Sequence, residues 1–324
     1  MLNFPPMDER DLIKHLGSRL EKPPILRNWL DEDCEIIERG THYQLVTIDT
    51  SSEKVDFPSG APPFEMGYFS ASLSLSDISA CGGKPEGILV SLSIPPSFDS
   101  QVFEIYEGII QAAQDTGTPI LGGDSNSAGE LSISIVSIGK VSKNKVLRRK
   151  TAKPGDLVGV TGPLGSFNAG YSAFHNHTEV DYQKMLRQPA RIVAGQTLAD
   201  IKADTNYEIS CIDLPDGLIK SLTDNTPPGM GFSINDGDIP VVGDADTPHF
   251  ISASKPAGDI ELLFTANPRL RRVIEIRFAT AGQQIFWIGE VISHPEIKIS
   301  APGKQFALEI QGFVHKFDGY KLFN

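Results

Sequence analysis

The chain has 324 residues, 40% of them hydrophobic and 22% charged, with a formal net charge of −12. That length predicts two domains with sizeable cores, and the composition is ordinary for a globular protein. The acidic balance argues against sequence-independent binding of nucleic acid and against docking on anionic membranes.

In chain order, residues 9–21 (ERDLIKHLGSRLE) predict a helix with Leu12, Ile13, Leu16 and Leu20 on one face. Residues 43–49 (YQLVTID) predict a strand that ends at Asp49. Residues 66–81 read two ways: L-S-L-S-D alternates like a strand, whereas Met66, Phe69, Leu73 and Ala80 suit one helix face and Gly82-Gly83 supplies a stop. The second pattern favours a tightly packed helix with small residues on its sides.

Strand 87–94, helix 101–116, a short strand entering a glycine turn at 119–124 (PILGGD) and strand 131–141 follow. The basic segment 143–156 reads as a connection, and DLVGVTGPLG (156–165) as a strand entering a glycine turn. The second half repeats the mixture, with helices at 192–203 and from about 215, and strands at 207–212, 260–265 and 285–292. The expectation is a mixed α/β (α+β) protein with domains at 1–150 and 151–324.

Cys34, Cys81 and Cys211 are far apart in sequence and suggest neither a disulfide framework nor a zinc site. The opening residues lack the pattern of a signal peptide, and no run approaches ~18 apolar residues, so a cytoplasmic protein is expected.

Several acids share one kind of position. Asp49 ends a strand, Asp124 follows Gly122-Gly123, Asp213 and Asp216 follow the strand of ISCIDLPDGL, and Glu32 and Asp33 precede the strand at 43. Asp77 lies inside a small-residue helix, where an acid is costly to bury uncompensated. A single aspartate at a turn is ordinarily turn or cap chemistry. Several converging on one cleft would repel each other unless cations filled it, and hard cations such as Mg²⁺ take carboxylates together with substrate phosphates. The sequence contains no GxxxxGK[ST], no GxGxxG after a strand, no HExxH and no G-x-S-x-G.

These pieces, in order, resemble the thiamine-monophosphate kinase family of the aminoimidazole ribonucleotide synthetase-like ATP-binding superfamily. LDEDCEII (30–37) stands where that family has Gly-Asp-Asp-Ala-Ala, with Glu32 and Asp33 on the two aspartates. DTSSEKVDF (49–57) resembles D-x-x-x-E-G-x-H-F, and MGYFSASLSLSDISACGGKPEG (66–87) resembles G-x-K-A-x-x-x-N-L-S-D-I-A-A-M-G-A-x-P. LGGDSN (121–126) matches the Gly-Gly-Asp motif, and LRRKTAKPGDLVGVTGPLGSFNAG (147–170) matches the arginine and A-K-x-G-D…T-G-x-L-G…A-G that open the second domain. RQPARI (187–192), CIDLPDGL (211–218), GDIELLF (258–264) and GFVHKF (312–317) resemble R-P-x-P-R-I, D-I-S-D-G-L, E-D-Y-E-L-L-F and G-W-x-H-F.

The resemblance implies a two-domain fold, an N-terminal domain forming a shared β-barrel in a homodimer, and a C-terminal α/β domain. It implies Mg²⁺-dependent transfer of the ATP γ-phosphoryl group to thiamine monophosphate. Glu32, Asp33, Asp49, Asp77, Asp124 and Asp216 then fall on metal positions; Gly122, Gly123, Asp124, Arg149 and Asp216 fall on nucleotide positions. Asp124 and Asp216 take the catalytic roles, and Glu53, Asp56 and Phe313 face the acceptor. The nucleophile would be a phosphate oxygen, already anionic, so positioning and charge cancellation matter more than a strong base.

The pattern breaks at Phe69 (family Lys), Ser74 (Asn), Lys54 and Asp56 (Gly and His), Pro215 (Ser), Gly258 and Ile260 (Glu and Tyr) and Phe313 (Trp). Pro215 removes an oxygen beside Asp216, while Asp56 and Gly258 bear on the acceptor half. Two alternatives therefore stand beside the kinase: a same-superfamily enzyme with another acceptor, and a nucleotide-binding homologue without catalysis.

Overall fold

The computed structural model describes residues 9–26, 31–243, 247–254, 258–301 and 304–308. The first half runs α1 (Glu9–Arg19), β1 (Glu35–Arg39), β2 (His42–Ser52), α2 (Glu53–Asp56), α3 (Pro63–Ala80), β3 (Lys84–Ile94), α4 (Val102–Asp115), β4 (Ile120–Ser127) and β5 (Ser132–Ser142). Its strands form an open sheet in the order β1-β2-β5-β3-β4, with only the β3–β4 pair parallel. The described residues of one chain close no barrel. Alternation sets the faces: Ile133 and Ile135 of β5 and Ile88, Val90 and Leu92 of β3 are buried, while Leu89 and Ser91 between them are exposed. The apolar face predicted for α1 forms, but it is exposed, with Leu20 at 54%.

The ambiguous stretch at 66–81 is a helix. Proline stands at its first position, where no intrahelical donor is lost. It stops in a Schellman motif: Gly82 adopts φ +68°, its N–H reaches the Ser79 carbonyl at 2.9 Å, and the Gly83 N–H reaches the Ile78 carbonyl at 2.9 Å. This helix is buried nearly all round, from Glu65 to Ala80, as expected of one without a polar face. Its small residues let α4 come close. A Cβ on Gly67 would lie 2.0 Å from the Ile105 carbonyl oxygen, and one on Gly108 would lie 1.9 Å from that of Phe64. At this end of α3 small residues thus serve helix packing.

The second half runs β6 (Leu157–Val160), α5 (Ser166–His175), α6 (Tyr182–Leu186), α7 (Ile192–Thr205), β7 (Ile209–Asp213), α8 (Leu218–Asp224), β8 (Gly231–Asn235), α9 (His249–Ser252), β9 (Leu262–Ala266), α10 (Arg271–Thr280), β10 (Phe286–Ile292), β11 (Ile297–Ala301) and β12 (Lys304–Leu308). The strands order as β12-β11-β8-β10-β6-β9-β7. A core shared by both halves joins α3 and the first sheet to Phe167, Met185, Leu186, Ile192 and Ile260. No helix among the described residues is long and apolar enough to cross a membrane.

Candidate active site

Three carboxylates from distant parts of the chain converge. Asp33 lies just before β1, Asp77 in the last turn of α3 and Asp213 at the end of β7. One oxygen of each lies within 4.8 Å of the others. They meet where α3 packs on β7, and the 143–156 connection is hydrogen-bonded beside both. There the Leu147 N–H donates to the Cys81 carbonyl at 3.2 Å, and the Cys211 N–H donates to the Arg148 carbonyl at 3.1 Å. That path carries Arg149 to the acids. Its guanidinium pairs with Asp33 through Nη2, and its backbone N–H donates to Glu32 Oε2 at 2.8 Å. Glu32 therefore fixes the arginine's backbone.

Two residues of β2 complete the floor. The Thr47 hydroxyl donates to Asp77 Oδ2 at 2.5 Å, and Asp49, two residues on, shares its face of the strand. Burial is the first cause of the raised proton affinity here. It pushes the Asp49 carboxyl up to about 6, with Asp216 and Asp33 adding to the rise and hydrogen bonds from Ser74 and Asp77 opposing it. Burial likewise raises Asp77 well above the carboxylate range, reinforced by Asp49, Asp213 and Asp33. For Asp213, burial and Asp33 raise the proton affinity against the pull of Arg149. The Arg149 guanidinium shows the complement: burial lowers its proton affinity, but Asp33, Asp213 and Asp77 outweigh burial and hold the charge firmly.

All these donors are hard oxygens. Asp49 Oδ2 is buried without a hydrogen-bond partner, an arrangement costly by itself and natural for a cation ligand. Asp33, Asp77 and Asp213 therefore fit a hard divalent cation such as Mg²⁺, with the unpartnered Asp49 oxygen beside them.

The remaining expected residues fall elsewhere. Asp216 lies in the turn before α8, with its side chain 45% exposed and paired to Lys220 Nζ at 2.7 Å. Pro215 sits in the same turn, and Asp213, at the end of β7, joins the cluster where Asp216 does not. Asp124 does not join it either. It is exposed on β4, in register with Ser91, Ser134 and Thr50 across the sheet. That register puts it on the opposite face from Thr47 and Asp49, three strand spacings or roughly 14 Å away laterally. Gly122 and Gly123 share this strand, and a Cβ on Gly123 would lie 1.9 Å from the Val90 carbonyl oxygen.

Glu53 and Asp56 lie on α2, beyond the end of β2. Asp56 Oδ2 accepts the Ser52 N–H at 2.7 Å, and Glu53 is 3.5 Å from the Leu131 N–H. Phe313 lies outside the described residues.

Two departures from the motif are packing changes. Phe69 is buried between Phe57 and Phe167, with ring centroids 6.1 and 5.9 Å away. Gly258 lies beneath the same Phe167, whose ring is 2.2 Å from where a Cβ would stand. The structure thus puts Gly258 against the core at Phe167. Ser74 donates to the Ile135 carbonyl at 3.0 Å. The sequence did offer one signal for Asp213: it directly closes the apolar run ISCID.

The open mixed sheet and its buried helix make up the part of the chain that matches the class of AIR synthase-related proteins. Residues 31–141 match the family described as "AIR synthase related protein, N-terminal domain". The chain belongs to the thiamine-monophosphate kinase family. It is 30% identical over 280 residues to the thiamine-monophosphate kinase of Methanospirillum hungatei JF-1, covering 86% of this chain and 92% of that protein. It is also 30% identical to that of Bacillus subtilis strain 168, covering 67% and 70%. Among solved structures, AaThiL complexed with AMPPCP and TMP shares the fold, with a TM-score of 0.78 at 24% identity over 97% of this chain and 99% of that one.

Proposed function

We propose that this protein transfers the γ-phosphoryl group of ATP to thiamine monophosphate, giving thiamine diphosphate and ADP, in a reaction that depends on Mg²⁺. The observation that carries this reading is the convergence of Asp33, Asp77 and Asp213 within 4.8 Å beside the buried, partly unpaired Asp49. Family membership supplies the substrates. A phosphate oxygen of the acceptor forms the new P–O bond as the bond to ADP breaks, and the incoming oxygen is already anionic. A bound Mg²⁺ supplies charge cancellation between the two polyanions. Arg149 is placed for a nucleotide phosphate, with Glu32 positioning it. Glu53, Asp56 and Phe313 are assigned to the acceptor side.

The proposal includes a homodimer built on the first sheet, in the cytoplasm, with a domain division at 1–150 and 151–324. Support for the dimer comes from the sheet's outer face, which exposes Ile48, Leu89, Ile120 and Leu121. Support also comes from β4, an edge strand exposed along its whole length. A second copy meeting this face would complete a shared barrel, and it would bring Gly122, Gly123 and Asp124 of each chain toward the partner's cleft.

The test is a phosphorylation assay with ATP, Mg²⁺ and thiamine monophosphate, with an EDTA control and thiamine diphosphate as the readout. Mg²⁺-dependent product is expected. Nucleotide binding without product would assign the cleft to another acceptor or to binding alone.

A further inference from the structure

We propose that Asn225 is a positioning residue for Arg149: its side-chain oxygen holds the Arg149–Lys150 peptide in a left-handed turn that presents the guanidinium at Asp33, ready for a nucleotide phosphate. The inference rests on reading Arg149 as a nucleotide-phosphate ligand. Arg149 and Lys150 form a turn in the connection between the two halves of the chain, and their consecutive N–H groups are tied to different halves. The Arg149 N–H donates to Glu32 Oε2 at 2.8 Å, ahead of β1. The Lys150 N–H donates to Asn225 Oδ1 at 3.0 Å, at the end of α8. The same Asn225 oxygen accepts the Ser210 hydroxyl at 2.5 Å. Ser210 lies on β7, the strand that Asp213 closes, and bridges Arg148 in parallel. The amide is thereby braced against the strand that carries one acid of the cluster.

Lys150 takes φ +57°, a conformation in which a Cβ crowds the backbone. Among the described non-glycine residues, His177 and Asn206 share it, but both lie just past a helix, α5 and α7, where it is an ordinary stop. Lys150 follows no helix. Such strain persists only where the surroundings over-determine it, and it gathers at ligand sites. Here Glu32 holds one N–H, Asn225 holds the next, and the adjoining guanidinium pairs with the buried Asp33. Asn225 is fully buried, and its Nδ2 has no hydrogen-bond partner. A leucine of similar shape would avoid leaving that donor unmet. What the amide supplies and leucine lacks is the acceptor for the Lys150 N–H. Without it the turn relaxes toward the right-handed region and carries the Arg149 peptide with it. A displacement of about 1 Å at a substrate-positioning group is enough to cost about 100-fold in rate.

The experiment measures binding of a non-hydrolysable ATP analogue with Mg²⁺ by calorimetry, alongside melting temperature. It compares wild type with Asn225→Leu, Asn225→Asp, Lys150→Val, Lys150→Gly and Arg149→Met. Asn225→Leu removes the acceptor and should weaken analogue binding about tenfold or more. Asn225→Asp keeps the acceptor and should stay within about threefold of wild type. Lys150→Val and Lys150→Gly lose the same ammonium but differ in backbone preference. The β-branched side chain of Lys150→Val resists the left-handed turn, which Lys150→Gly adopts freely, so the first should bind about tenfold more weakly than the second. Affinity within about twofold of wild type in a folded Asn225→Leu overturns the proposal, whatever its melting temperature, and leaves Asn225 a packing residue. If that variant does not fold, equal affinities of Lys150→Val and Lys150→Gly overturn it. Wild-type affinity in Arg149→Met would instead overturn the underlying reading of Arg149.

Discussion

Asp77→Asn tests the central reasoning, because the cleft makes two opposite demands on that carboxylate. One of its oxygens lies within 4.8 Å of oxygens of both Asp33 and Asp213. At that separation two ionised carboxylates repel by about 3–4 kcal/mol at an effective dielectric of ~20. The relief from neutralising Asp77 is bounded by the cost of protonating it instead, roughly 5 kcal/mol at about pH 7.5 for an unfolded value of about 3.9. Arg149 already offsets part of the repulsion, and the new amide accepts the Thr47 hydrogen bond less strongly than a carboxylate does. The expected net effect is a metal-free protein more stable by about 1–3 kcal/mol, which raises the melting temperature in EDTA by a few degrees. With Mg²⁺ the order reverses. Wild type gains stability by mass action, about 2.7 kcal/mol at a hundredfold excess over Kd, and the variant gains none. Calorimetric melting with EDTA or Mg²⁺, combined with turnover, reads both effects. A lower melting temperature in EDTA together with an undiminished Mg²⁺ response would refute the argument and make Asp77 a structural partner of Thr47.

Other expectations follow from the same geometry. Asp49 binds its proton more tightly when folded, at about 6 against 3.8, so its contribution to stability is present at low pH and is lost as pH rises through that window. Asp49→Asn should therefore match wild type near pH 4 in EDTA and exceed it by up to about 3 kcal/mol above pH 6, as read by urea denaturation across pH. Arg149→Met leaves the buried Asp33 without its cation and should cost about 3–5 kcal/mol; adding Asp33→Asn should restore part of that in a double-mutant cycle. Gly67→Ala drives a methyl group to 2.0 Å from the Ile105 carbonyl oxygen and should force α3 from α4, costing about 1–3 kcal/mol or more in denaturant melts. Gly258→Ala should cost stability through its contact with Phe167, and Phe167→Leu should relieve that cost.

Much of the fold was legible because periodicity reports burial. The alternation of 131–141 became β5, and the apolar face of 101–116 became α4 buried at Ile105, Ile109 and Ala113. Elements with weak periodicity escaped: β1, α2, α5, α6, α9, α10 and the β8, β11 and β12 strands gave no pattern clear enough to read. In the site, Asp33, Asp49, Asp77 and Arg149 were legible from motif order and the structure gathers them at one cleft. Asp213 was passed over for Asp216, three residues on, because a motif fixes spacing but not which acid closes the strand and which lies in the turn.

The sequence by itself determined the glycine stop after α3 and the apolar run that Asp213 closes, since those are local matters of backbone geometry and side-chain size; Asp49 and Asp124, read as a strand end and a glycine turn, lie inside β2 and β4, because pairing across the sheet extends both strands past them. It also determined the family through ordered motifs. The tertiary structure alone decided which acids meet. Convergence of Asp33, Asp77 and Asp213 depends on the packing of α3 on β7, with the 143–156 connection hydrogen-bonded beside both. The separation of Asp124 depends on strand order and on the face its register selects. Whether a carboxylate ends beside other carboxylates, as Asp77 does, or beside an ammonium, as Asp216 does, is set by packing over long sequence distances for the first and by one helical turn for the second.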